Sequence, residues 1–199
     1  MSAIYDRIYQ AAEPYWQTRS GEVHMPESYA LAKALLGHYP EADPAVVLPA
    51  ILLHDIGYFG LPEETQMQGL SGSPRGWDAD VTRLHEVEGA RRARAILAEL
   101  GYDPGLTERI VAIIDGHDSR KEPLSLEDAI VKDADKLWRF TASGVRICRH
   151  WVGQEPDVFM DYVESKIAGW MLTPHGAAMA RAILAETRRG YAEGGEDGA

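Results

Sequence analysis

Apolar residues recur three and four positions apart along most of the chain, the period of helices with one buried face. Ile4, Ile8, Ala11, Ala12 and Tyr15 mark a first helix, which Pro14 bends or ends. A second is predicted over Glu27–His38, with Pro26 in its first turn and His24 at or just before its start. Asp43-Pro44 supplies an N-cap and a first-turn proline for a central helix, Ala45–Gly57. Asp80–Leu100 carries Val81, Leu84, Val87, Ala90 and Leu97 as one stripe, with Gly101 as its stop. Thr107–Gly116 turns Ile110, Ile113 and Ile114 inward. Ser125-Leu126-Glu127-Asp128 has the shape of a capping box and opens Leu126–Phe140. Helices over Ala142–Val152, Asp157–Met171 and Pro174–Tyr191 complete the set. No strand pattern, repeat or linker interrupts them. The expectation is one compact all-α domain over residues 1–192, with 193–199 a flexible acidic, Gly-rich tail.

One stretch has no apolar period. Gly60 to Asp78 is full of turn formers, and a loop that long in a compact domain is a lid or binding loop, or else disordered. It joins the helix carrying His54-Asp55 to the helix carrying His85, so the lid reading puts it over the mouth of any site those residues form.

Composition narrows the function. At 199 residues and 45% hydrophobic content, the chain buries one sizeable core. A net charge of −11 argues against nucleic acid or anionic membrane as partner, yet allows a small anionic substrate in a local basic or metal-charged pocket. The single cysteine, Cys148, excludes an intrachain disulfide and a cysteine-rich zinc site, and reads as a small core residue. No apolar run reaches membrane-spanning length and Met1–Arg7 lacks a signal peptide's apolar stretch, so a cytoplasmic protein is the default.

The candidate chemistry lies where polar residues enter apolar faces. Leu48-Pro49-Ala50-Ile51-Leu52-Leu53 runs straight into His54-Asp55, carrying both inward. Taken alone, that pair is as well explained by a buried His–Asp hydrogen bond as by a metal site. His117 continues the stripe of Ile110, Ile113 and Ile114; His85 borders the buried stripe of its own helix; His24 opens the second helix; Asp135 sits inward between Val131 and Trp138. Five helices each turning an imidazole or carboxylate inward would leave uncompensated buried charge without a cation. Such a His/Asp set suits divalent iron, manganese or zinc better than calcium or magnesium. His38, His150 and His175 read as structural or surface residues.

The ordered set His24…His54-Asp55…Asp135, with its His-Asp inside Leu-Leu-His-Asp-Ile-Gly and its end in Lys132-Asp133-Ala134-Asp135-Lys136-Leu137, resembles the HD-domain superfamily of metal-dependent phosphohydrolases. The resemblance covers roughly His24 to Phe140. The additional His85 in His-Glu-Val-Glu-Gly-Ala and His117 in Asp-Gly-His-Asp are similar to the two-metal branch. It implies that His24, His54, Asp55 and Asp135 hold one ion and that Asp55 bridges to a second, held by His85 and His117. Two such ions about 3.5–4 Å apart activate a metal-bound hydroxide for attack on a phosphate ester, with Asp55 central to catalysis. Arg83 and Lys121, close in sequence to two ligands, are the candidate substrate contacts, each with a solvated surface charge as its alternative; Glu86, Glu88 and Asp118 are ambiguous between supporting and wet positions. Tyr58 stands where other branches often carry lysine, and the Gly-Tyr-Pro signature of cyclic-dinucleotide phosphodiesterases is absent, which argues against that substrate. The implied function is hydrolysis of a small phosphorylated metabolite or nucleotide. The alternatives are a mixed-valence di-iron oxygenase with the same ligands and a metal-stabilised, non-catalytic binding module.

Overall fold

Val46 to Leu53 are all buried, and they form the body of the helix at the centre of the molecule, α3 (Pro44–Leu53). The structure is a computed structural model and describes residues 3–68 and 78–194. Before α3 come α1 (Ala3–Ala12) and α2 (Gly21–Leu36); after it come α4 (Glu63–Gln68), α5 (Ala79–Glu99), α6 (Pro104–Ile114), α7 (Leu126–Leu137), α8 (Ala142–Val152), α9 (Pro156–Trp170) and α10 (Pro174–Gly194). The described residues contain no strand. Helices α1, α2, α6 and α7 pack around α3, and α5 packs on α6 and on the turn that follows α3. A side chain such as Ile51 or Leu52, fully enclosed there, contributes roughly 1.5–3 kcal/mol. None of the helices in the described residues is long and apolar enough to cross a membrane.

The helix starts follow their caps. Asp43, Asp78, Asp103, Ser125 and Thr141 each accept a backbone N–H of the turn they open, and Pro44 and Pro104 fill first-turn positions where no N–H is needed. Buried Asp133 of α7 ties down the C-terminal helices. It accepts from the backbone N–H groups of Leu172 and Thr173 and from the Thr173 hydroxyl, at 2.6–2.9 Å.

Several boundaries differ from the sequence pattern, each for a local reason. Helix α2 begins at Gly21, because Arg19 and Ser20 take left-handed conformations (φ 51° and 57°) that turn the chain sharply before it. His24 therefore sits within α2, and Pro26 lies inside the helix. Helix α3 stops at Leu53, and Ile56–Tyr58 forms a separate 3₁₀ turn. That turn meets α5 at backbone contact: a Cβ on Gly57 would lie 1.9 Å from the His85 carbonyl oxygen. On α5, Leu84 and Val87 face solvent, while Thr82, His85, Glu86 and Gly89 share the buried face with Val81 and Ala90. Gly60–Asp78 contains the short helix α4; residues 69–77, on which the lid expectation mainly falls, lie outside the described residues. Helix α10 runs on through Gly194, and residues 195–199 of the expected tail also lie outside them.

Candidate metal centre

The end of α3 fixes the geometry. The His54 ring turns its Nδ1 onto the Ile51 carbonyl at 2.8 Å, and His117, just beyond α6, does the same with the Ile114 carbonyl at 2.9 Å. A carbonyl only accepts, so each Nδ1 bears a proton, and each ring in its neutral form presents a lone pair at Nε2. Those lone pairs point at other imidazoles. His54 Nε2 lies 3.2 Å from His24 Nε2, and His117 Nε2 lies 3.3 Å from His85 Nε2.

Asp55 stands between the two pairs and gives one oxygen to each. Its Oδ2 is 3.7 Å from His24 Nε2 and 3.6 Å from His54 Nε2, while its Oδ1 is 3.3 Å from His117 Nε2 and 3.8 Å from His85 Nε2. Asp135 Oδ1 closes the first pair at 3.3 and 3.5 Å. Asp118 Oδ2 faces the second pair at 3.7 and 3.8 Å. The arrangement is two histidine pairs, each with an outer aspartate, sharing one central carboxylate.

Two nitrogens bound to one ion at about 2.1 Å are separated by about 3.0–3.4 Å, which matches both pairs. Facing lone pairs at that distance repel unless a proton or a cation lies between them. The donor set therefore fits a transition-metal ion in each pair, and His24, His54 and Asp55 form one group able to hold a metal, with Asp55, His85 and His117 the other.

Electrostatics in the protein without metal reflect the same crowding. Burial lowers the His85 pKa, and the charge of His117 lowers it further, to about 4. Burial also acts to lower His117, but the carboxylates of Asp118 and Asp55 outweigh it and raise it to about 9. Asp55 and Asp135 stay ionised well below the usual carboxylate range: burial opposes this, and His54 for the one and Arg139 for the other override it.

Surrounding residues hold the ligands in place. Buried Glu86 accepts from the backbone N–H groups of Asp118 (2.9 Å) and Ser119 (2.7 Å), fixing the segment that carries His117. Lys132 holds that segment from its carbonyl side, donating to Gly116, His117 and Arg120 at 2.6–3.0 Å. Ser28 meets His24 Nδ1 at 3.1 Å, and Tyr58 stacks on the His85 ring at 4.0 Å.

The structure brings His24, His54, Asp55, His85, His117 and Asp135 together. Arg83 and Lys121 are exposed, line a larger neighbouring cavity and lie outside ion-pair distance of the six. Arg83 is engaged by Glu86 and Asp115 at 2.5 and 2.7 Å. The cations next to the ligands are different ones. Arg139 lies 3.8 Å from Asp135 Oδ2. Arg19 spreads its guanidinium over the Tyr58 ring at 4.1 Å, and its buried Nε has no partner among the described residues. A cavity of about 20 Å³, enough for one water, is bounded by these two arginines together with His24, Asp55, Asp118 and Asp135. Asp118 could have been weighted more heavily from sequence, since His117-Asp118 repeats the His54-Asp55 dipeptide. Arg139, four residues after Asp135, could have been found by helical spacing, whereas nothing in the local pattern marks Arg19. His38, His150 and His175 are exposed, and the first and last stack on each other at 4.3 Å.

Among known families, the HD domain model matches residues 22–139, which span every ligand named above. Comparisons with curated proteins and with solved structures gave no match.

Proposed function

The chain belongs to the HD-domain family, most of whose members are metal-dependent hydrolases, and on that premise we propose that it is a two-metal phosphohydrolase acting on a small phosphate ester. The observation that carries this reading is Asp55, one carboxylate with an oxygen turned to each histidine pair. His24, His54, Asp55 and Asp135 would hold one ion; Asp55, His85 and His117 would hold the other, with Asp118 beside it. When bound, such ions neutralise developing charge on phosphoryl oxygens and lower the pKa of water.

The chain's own groups supply the rest. The Ile51 and Ile114 carbonyls fix the tautomers of His54 and His117, so both rings are aimed before any ion arrives. Asp118 turns its Oδ2 towards the His85–His117 pair and would stand beside the second ion. Arg19 and Arg139 replace Arg83 and Lys121 as the contacts for phosphoryl oxygens, since they border the ligands directly. Tyr58 closes one side of the site by packing between His85 and Arg19.

Arg19→Ala should lower kcat/KM about 10- to 100-fold, the loss of one charged hydrogen bond, with metal content unchanged. Equal activity, or a matching loss of metal, would remove Arg19 from the substrate contacts.

Protons and metal compete for His117. Its folded pKa of about 9 lies above its ordinary 6.5, so in metal-free protein its stabilising contribution is full below pH 6.5 and is lost as pH rises through about 9. Metal needs the neutral ring, so its binding strengthens over the same range. The Tm difference between manganese-loaded and metal-free protein should widen from pH 6.5 to 9; a constant difference would contradict this.

The reaction class is tested by measuring phosphate release and oxygen consumption together, with manganese and with iron, under air and under nitrogen. Hydrolysis continues anaerobically with manganese. Turnover that requires oxygen and iron would replace this reading with the oxygenase.

A further inference from the structure

The larger cavity, about 880 Å³, opens beside the ligand cluster and has two unlike walls. One is cationic and includes Arg19 and Arg139, although the whole chain carries a net charge of −11. The other is formed by α8, α9 and the turn after α9, with Trp151, Tyr162, Trp170 and Leu172 facing the space. That aromatic wall lies entirely beyond the residues matched by the HD domain model, which end at 139. It therefore lies outside the part of the chain that the family model describes.

The two arginines connect the walls. Arg139 lies 3.8 Å from the Asp135 carboxylate, and its guanidinium is 5.7 Å from the Trp170 ring centre. Arg19 lies over Tyr58 at 4.1 Å and is 5.7 Å from the Trp151 ring centre. Trp170 and Tyr162 meet edge to face at 6.0 Å. A phosphate held between these guanidinium groups would have the ligand cluster on one side and three aromatic rings on the other. The volume is that of a cleft for a whole organic molecule, several times what a phosphate fills. A polyol on that wall would bury hydroxyl groups against hydrocarbon without partners, whereas a flat π-system would stack.

We propose that this chain selects phosphate esters whose alcohol carries a flat aromatic body, recognised by Trp151, Tyr162 and Trp170. The proposal rests on the phosphohydrolase reading for the position of the phosphate, but the recognition is separable from the chemistry. Adenosine 5′-phosphate and ribose 5-phosphate are suitable probes, because both are esters of the same primary alcohol and differ only in the base. Binding to the full, manganese-loaded chain is read by quenching of tryptophan fluorescence and confirmed by calorimetry, with phosphate release recorded in parallel.

Adenosine 5′-phosphate should bind at least about tenfold more tightly than ribose 5-phosphate, the lower range of what stacking one base on aromatic side chains provides. In Tyr162→Leu/Trp170→Leu, whose fold is checked by circular dichroism, that preference should fall below about threefold while ribose 5-phosphate binds as before. If the double variant fails to fold, Tyr162→Leu alone, at a half-buried position, should cut the preference in the same direction. Equal affinity for the two probes, or a preference that survives the substitutions, overturns the proposal. Equal binding with phosphate release from both would leave the hydrolase reading standing. Preferential binding with no phosphate release would sink the hydrolase reading and leave the aromatic recognition intact.

Discussion

Asp55→Ala should reduce activity by at least about a hundredfold and remove at least half of the bound metal. Losses of 10–100-fold already follow from changes to groups that merely support a ligand, and Asp55 touches both histidine pairs. No other carboxylate can take over. Asp135 is confined to the His24–His54 side and Asp118 to the His85–His117 side. Metal-free protein should also melt at a lower temperature, because His54 and His117 lose a carboxylate that raises their pKa values. His38→Ala and His150→Ala are the controls, since both rings are exposed and neither belongs to the groups able to hold a metal. Metal analysis and thermal melts on the three variants check this, and equal metal loss in all three would contradict it.

Gly57→Ala should be among the most damaging single-methyl changes in the described residues, and the one that also disturbs the ligands. The added Cβ would meet the His85 carbonyl oxygen at 1.9 Å and the Gly89 nitrogen at 2.6 Å, both backbone atoms of α5. No rotamer change relieves that. The turn after α3 and α5 must separate by more than an ångström, and overpacking on this scale costs about 3 kcal/mol. The displacement falls between Asp55 and His85, so metal affinity should drop along with stability. Chemical denaturation of the metal-free protein measures the first and a manganese titration the second. A variant with unchanged stability and metal binding would show that the two elements are not in contact.

The same contact explains what the sequence could and could not disclose. His54-Asp55 was legible because an unbroken apolar run carries it inward, and His117 because it continues an isoleucine stripe. Asp135 followed from helical spacing on α7. On α5, however, apolar spacing misassigned the inward face. Leu84 and Val87 look like core residues, yet the helix turns His85, Glu86 and Gly89 to the interior. Here a polar centre and a backbone contact, rather than hydrocarbon, decide which face is buried. The start of α2 was hidden for a different reason. Left-handed conformations at Arg19 and Ser20 have no composition signal, because both residues avoid that region as a rule. Arg139, four residues after Asp135, sat at helical spacing from a ligand and was open to the same reasoning. Arg19 reaches the ligands only through tertiary packing, so no spacing rule could select it over Arg83, which lies two residues from a histidine ligand.

The central claim is that Asp55 joins two metal positions, one at each histidine pair. Stoichiometry tests it most directly: protein stripped of metal is titrated with manganese, and the bound ions are counted by calorimetry and elemental analysis. The account predicts two ions per chain in the wild type, falling to one when His85→Ala removes the second pair. A wild-type chain that saturates at a single ion, or a His85→Ala chain that still binds two, would contradict it.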